Sequence, residues 1–220
     1  MNKHYDNILE FNEAFEVETY KGDNFFNNEA LVKFRMALIT EEVQELKDAL
    51  ATDDLPEIID ALSDILYVSF GALAAFNMGN RIELDLDYKV LKQKYARLNI
   101  GDIEDSYTFL VESINDKDKK SVGMHLENLI MYCYEALIHL GIHPGEAFEI
   151  VHRSNMSKIC VSESEAIETV KSYKNDIRYD SPAYRESKTP GKWIVYNKSS
   201  NKVLKSINYK VCNFESLLFK

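Results

Sequence analysis

Two short acidic runs hold the residues best placed to do chemistry. Glu41, Glu42 and Glu45 stand at i, i+1 and i+4, so a helix can project all three from one side. Glu57, Asp60 and Asp64 follow at spacings of three and four, and Tyr67 and Gly71 continue the same helical stripe. The second set interrupts an apolar run, EIIDALSDILYVSFGALAAFNM, and a helix apolar around its circumference is normally buried. Carboxylates that close together in a low-dielectric bundle repel one another and are costly to desolvate. A divalent cation relieves both problems, and an all-oxygen donor set suits Mg²⁺ or Mn²⁺ better than zinc. Two other readings stand beside this one. EExxE on a helix is commonly a solvated face, and Asp60 and Asp64 can instead pair with a cation such as Arg35 or Lys158.

A second candidate stretch is VHRSNMSK, residues 151–158. Lys158 is a charge suited to a phosphate, while Lys and Arg at a helix C-terminus also complement the dipole. His152 has no second histidine at ligand spacing and reads as structural. In the tail, Lys202, Lys205 and Tyr209 can close over an anion, or the lysines can guard a solvated strand edge.

These residues need helices to place them. Periodicity and caps predict helices at 5–15, with Ile8, Phe11 and Phe15 on one side, and at 29–51, N-capped by Asn28. The latter has Leu31, Phe34, Leu38, Leu46 and Leu50 as its apolar stripe. A helix at 56–78 begins at Pro56 with Asp53 or Asp54 as cap. Further helices are expected at 86–97, 104–114, 124–140, 144–156 and 162–175, with a charged loop at 116–120. ILYVSFGALAAFNM and LIMYCYEALIHLGI echo one another and read as two packed helices of one bundle. The segments WIVYN and KVLKS, joined by KSSN, read as a β-hairpin. The expected fold is an all-α helical bundle, residues 1–160, with 79–123 as an insertion. A C-terminal helix plus a basic β-hairpin tail fills 161–220.

Composition narrows the function classes. The 220 residues carry a net charge of −10. Residues 171–220 hold 11 Lys/Arg and 4 Asp/Glu, net +7, leaving −17 for residues 1–170. An acidic body with a basic tail suits a body that needs cations and a tail that meets anions, and it argues against nucleic acid as a partner. Three scattered cysteines fit neither a disulfide framework nor a zinc site and point to a reducing, cytoplasmic compartment. No apolar run reaches the roughly 18–20 residues of a membrane span. The opening MNKHYDNILEF lacks the apolar core of a signal peptide.

EEVQEL (41–46), DALSDILYVSFGAL (60–73) and GIHPGEAFEIVHRSNMSK (141–158) together resemble the all-α nucleoside triphosphate pyrophosphohydrolases. This superfamily includes the MazG-like and dimeric dUTPase-like enzymes and phosphoribosyl-ATP pyrophosphohydrolase. GKWIVYNKSSNKVLKSINY (191–209) is similar to the ending of some members. The resemblance implies a MazG-like bundle that hydrolyses a nucleoside triphosphate to monophosphate and pyrophosphate and assembles as a homodimer or homotetramer. It places Mg²⁺ on Glu42, Glu45 and Asp64, with Glu41 adjoining. Asp60 substitutes for a family glutamate whose position holds Ala61 here. Glu41 or Glu42 would be the general base. Asn155 and Lys158, with Arg153, would contact substrate, Tyr67 would wall the pocket, Lys205 would meet phosphate and Asn12 would reach the base. Phosphoribosyl-ATP hydrolysis and a catalytically weak nucleotide-binding module are the alternatives.

Overall fold

Short polar side chains set where the helices begin. Asn28 Oδ1 accepts from Leu31 N at 3.1 Å and opens α2, Glu29–Thr52. The chain leaves α2 through Asp53 in the left-handed region, and Asp54 then caps α3, Leu55–Ala75, by accepting from Glu57 N. This two-residue connection sets α2 and α3 side by side and antiparallel. Ser162 accepts from Glu165 N to start a later helix in the same way. Each cap satisfies backbone donors that the first helical turn leaves without partners.

The computed structural model describes residues 3–79 and 100–218. Within them α1 is Lys3–Phe15, α4 Ile100–Asn115, α5 Lys119–His139, α6 Pro144–Met156, α7 Glu163–Ser172 and α8 Glu215–Leu218. Strands β1, Pro182–Glu186, and β2, Trp193–Asn197, pair antiparallel with Glu186 opposite Trp193. The fold is all-α with a small C-terminal hairpin. The helix expected at 86–97 lies outside the described residues.

The chain divides into two compact units. The first takes the described residues of 1–8, 18–151 and 213–220. Its centre is α3, which packs against α2 on one side and α5 on another, while α4 lies along α5. Ile59, Leu62, Ile65, Leu66 and Phe70 of α3 are fully buried, as are Ile39 of α2 and Leu126, Leu129, Ile130 and Leu137 of α5. The two echoing segments are thus packed neighbours. Against the expectation from the sequence, α3 is by length and composition apolar enough to cross a membrane, with mean hydropathy 1.6 over an 18-residue window. Of that window 83% is buried inside the protein. His4 enters this unit among aromatic rings, T-shaped on Phe148 at 4.5 Å, with Phe70 at 6.2 Å and Tyr134 at 5.9 Å.

The second unit takes residues 9–17 and 152–212. Its core is Cys160, Ala166, Val195 and Leu204, ringed by Val170, Tyr173, Tyr179, Tyr184 and Trp193. Asn197 is 3% exposed and ties the surrounding turns together. Its side-chain oxygen accepts from Ser181 N at 2.9 Å, and its amide nitrogen lies 2.9 Å from Ser199 Oγ and 3.1 Å from Asp180 Oδ1.

Three expectations need correction. The helix expected from residue 124 starts at Lys119, because Asp118 Oδ1 accepts from both Lys120 N and Ser121 N and turns the charged loop into a cap. The buried stripe of α2 runs through Val32, Arg35, Ile39, Val43 and Leu46, whereas Phe34 and Leu38 are only partly buried. The β2 segment WIVYN takes its ladder from PAYRE rather than from KVLKS. The latter contributes a single bridge, Val203 to Tyr196, and buries Leu204 in the second unit's core. The Pro190–Gly191 turn between PAYRE and WIVYN is the signal for this pairing, with Gly191 at φ +74° where a side chain would be strained.

Candidate active site

In the first unit, α2 carries Glu41, Glu42 and Glu45, and α3 carries Glu57, Asp60 and Asp64. Glu42 flanks the buried stripe of α2 and is partly buried, while Glu41 and Glu45 are exposed. On α3, Asp60 and Asp64 are partly buried within a helix whose other residues from Ile58 to Phe76 are almost all buried, and Glu57 is exposed. The antiparallel packing matches the level of Glu42 to that of Asp64 and the level of Glu45 to that of Asp60. Tyr67 is buried, with its ring 5.3 Å from that of Phe148. Ala61, at the position of the family glutamate, is buried at 4% exposure.

The donors fit a hard divalent cation in kind, being carboxylate oxygens only, from two packed helices. Among the described residues, no three His, Cys, Asp or Glu side chains converge on a point that could hold a metal ion.

The same face carries a residue that sequence reasoning offered only as a counter-ion. Arg35 is buried at 6% exposure, and its Nε and Nη2 have no hydrogen-bond partner. Among the described residues it forms no ion pair with Asp60 or Asp64. Burial draws its pKa down to about 10, which leaves it charged at neutral pH. Its signal in the sequence is a charged residue four positions after Leu31 and four before Ile39, on the core side of the helix.

In the second unit, Asn155 is buried and accepts a hydrogen bond at Oδ1 from the Lys158 ammonium. Arg153 is exposed. His152 is buried and lies 3.3 Å from Glu10, a structural contact between α6 and α1. Asn12 is buried, and its side-chain nitrogen has no hydrogen-bond partner among the described residues. Ser154 Oγ bonds both Tyr209 Oη and the Lys210 carbonyl at 2.7 Å, holding the tail against α6. Lys205 is exposed and its ammonium sits 4.7 Å from the Tyr209 ring centre.

Comparison with known proteins bears on this arrangement. A family model described as phosphoribosyl-ATP pyrophosphohydrolase matches residues 9–85, the stretch that holds both acidic runs. The chain belongs to the all-α nucleotide pyrophosphohydrolase superfamily. An uncharacterized protein of Acanthamoeba polyphaga mimivirus, L479, is 34% identical over 244 positions, which cover 97% of this chain and 95% of that protein. No solved structure matches the chain. Superfamily membership supports a nucleotide pyrophosphohydrolase-like function, that of a hydrolase acting on a phosphoanhydride bond.

Proposed function

We propose that this protein is a Mg²⁺-dependent nucleoside triphosphate pyrophosphohydrolase, converting an NTP or dNTP to the monophosphate and pyrophosphate and so clearing the nucleotide pool. The observation that carries this reading is the pair Asp60 and Asp64, partly buried in an otherwise apolar helix beside the glutamate-bearing flank of α2. Carboxylate oxygens offered by two packed helices are the donor set that a hard divalent cation takes.

Glu42, Glu45, Asp60 and Asp64 would hold the ion, with Glu41 adjoining, and Mn²⁺ is an acceptable substitute for Mg²⁺. The bound cation supplies charge neutralisation for the phosphates and lowers the pKa of water. Glu41 or Glu42 accepts the proton of the attacking water. The water oxygen bonds to phosphorus as the α–β bridging bond breaks, and the bridging electrons leave with one product. Attack at the α or the β phosphorus gives the same two products. Asn155, Lys158, Arg153 and Lys205 are proposed to bind the phosphates, Asn12 the base, and Tyr67 to wall the pocket. The hydrogen bond between Lys158 and Asn155 holds the ammonium in a fixed position for an anion. The enzyme is expected to act as a homodimer or homotetramer in the cytoplasm.

The description of the matching family favours a second reading, hydrolysis of phosphoribosyl-ATP. The long second unit counts against it. Pyrophosphate release from a panel of NTPs, dNTPs and phosphoribosyl-ATP, with Mg²⁺ and with Mn²⁺, separates the two. Glu45→Ala and Asp64→Ala should each lower the rate by more than about 100-fold, beyond the loss typical of outer-shell changes at a metal site. If neither change slows release, the catalytic reading fails.

A further inference from the structure

Arg35 stands two turns before Glu42 on the same flank of α2. Its two nitrogens without hydrogen-bond partners, Nε and Nη2, form one edge of the guanidinium. That edge is the fork that takes two oxygens of a single acceptor. The third nitrogen, Nη1, lies against Gly71 of α3, where an added Cβ would approach to 3.2 Å. Gly71 follows Asp64 by two turns on the stripe that also bears Asp60 and Tyr67. The Arg35–Gly71 level is therefore roughly 10 Å along the helix axes from the Glu42–Asp64 level.

A buried cation without a counter-charge is among the costlier features a protein core can hold. Among the described residues, no acidic side chain forms an ion pair with Arg35 and no polar atom bonds its buried Nε–Nη2 edge. A neutral carbonyl would satisfy one N–H and leave the charge standing. An acceptor with two anionic oxygens on one atom satisfies both N–H groups and the charge together.

We propose that Arg35 binds a phosphoryl group of the substrate, two of whose non-bridging oxygens occupy the Nε–Nη2 edge. Gly71 seats the guanidinium by leaving the space that a side chain would fill. The inference rests on the nucleotide reading above and deepens it by naming the residue that meets the phosphate chain. The distance along the helices sets Arg35 apart from the Glu42–Asp64 level, so the phosphoryl group it takes is one remote from the bond that is cleaved.

Calorimetric titration of the full chain with inorganic tripolyphosphate, with and without Mg²⁺, tests this without requiring turnover. Arg35→Met removes the fork while keeping the length of the side chain, and should weaken tripolyphosphate binding about 10- to 100-fold. Arg35→Lys should recover only part of the loss, because an ammonium cannot present two donors in one plane. Gly71→Ala should weaken binding in the same direction by crowding Nη1, and it serves if Arg35→Met does not fold. The apo Arg35→Met protein should melt no lower than the wild type, since it loses a buried charge that no ion pair meets among the described residues. Unchanged tripolyphosphate affinity in both Arg35→Met and Gly71→Ala overturns the assignment. So does an equal loss of affinity for a nucleoside that lacks phosphate, which would make Arg35 a base contact. Wild type that binds tripolyphosphate through Arg35 yet releases no pyrophosphate from any triphosphate would refute the enzyme reading alone.

Discussion

Acidification should destabilise this protein through His4, and a single substitution should remove that part of the effect. The His4 ring is packed among Phe148, Phe70 and Tyr134, and its pKa falls from 6.5 to about 4. Burial is the larger cause, followed by the positive charge of Lys3. Between these two pKa values the unfolded chain binds a proton that the folded chain does not. Stability from this source is therefore complete above pH 6.5 and falls as the pH drops towards 4. At pH 5 the linkage amounts to about 2 kcal/mol relative to pH 7.5. His4→Phe keeps an aromatic ring in the cluster and cannot titrate. Urea unfolding of both proteins at pH 7.5, 6.5, 5.5 and 5.0 isolates the contribution of His4, because the variant differs from the wild type at that one titratable group. The difference in stability between the variant and the wild type should shift by about 2 kcal/mol in favour of the variant across this range. Parallel pH profiles would show that His4 charges without cost in the folded state and would refute the reasoning.

Other perturbations have outcomes set by single contacts. Asn28→Ala removes the cap of α2 and the 2.7 Å bond from Asn28 Nδ2 to Glu18, and should lower stability by about 1 kcal/mol in urea titrations monitored by circular dichroism. Asn197→Ala strips hydrogen-bond partners from Ser181, Ser199 and Asp180. It should cost about 1–3 kcal/mol and open the 198–202 turn to limited proteolysis before the helices are cut. Native protein titrated with a thiol reagent should react first at Cys212, which is partly exposed. Burial pushes the thiols of Cys133 and Cys160 up, so they should react only on unfolding, as peptide mapping of the labelled protein would show.

Much of the helical frame could be read from local signals. Asn28 and Pro56 mark helix starts that the structure reproduces, because caps and first-turn prolines act on backbone groups a few residues away. The 144–156 helix agrees to the residue, bounded by Pro144 and by the turn after Met156. The tail was harder to read. WIVYN has strand character on its own, but its partner is chosen by which neighbour buries Tyr184 and Trp193 over Cys160 and Ala166. PAYRE, with its proline and two charges, gives little strand signal by itself.

The sequence by itself determined the carboxylate stripes, since spacings of three and four put residues on one side of any helix that forms. It also determined that α3 must be buried, because no side of that helix is polar enough to face water. Only the tertiary structure decided which flank of α2 is inward. Val32, Ile39 and Val43 outcompete Phe34 and Leu38 for the core, and their stripe brings Arg35 in with them. Whether a charged residue in such a stripe meets a counter-ion depends on what the neighbouring helix places opposite. Here α3 places Gly71 there, and a glycine can make room for a guanidinium but cannot neutralise it.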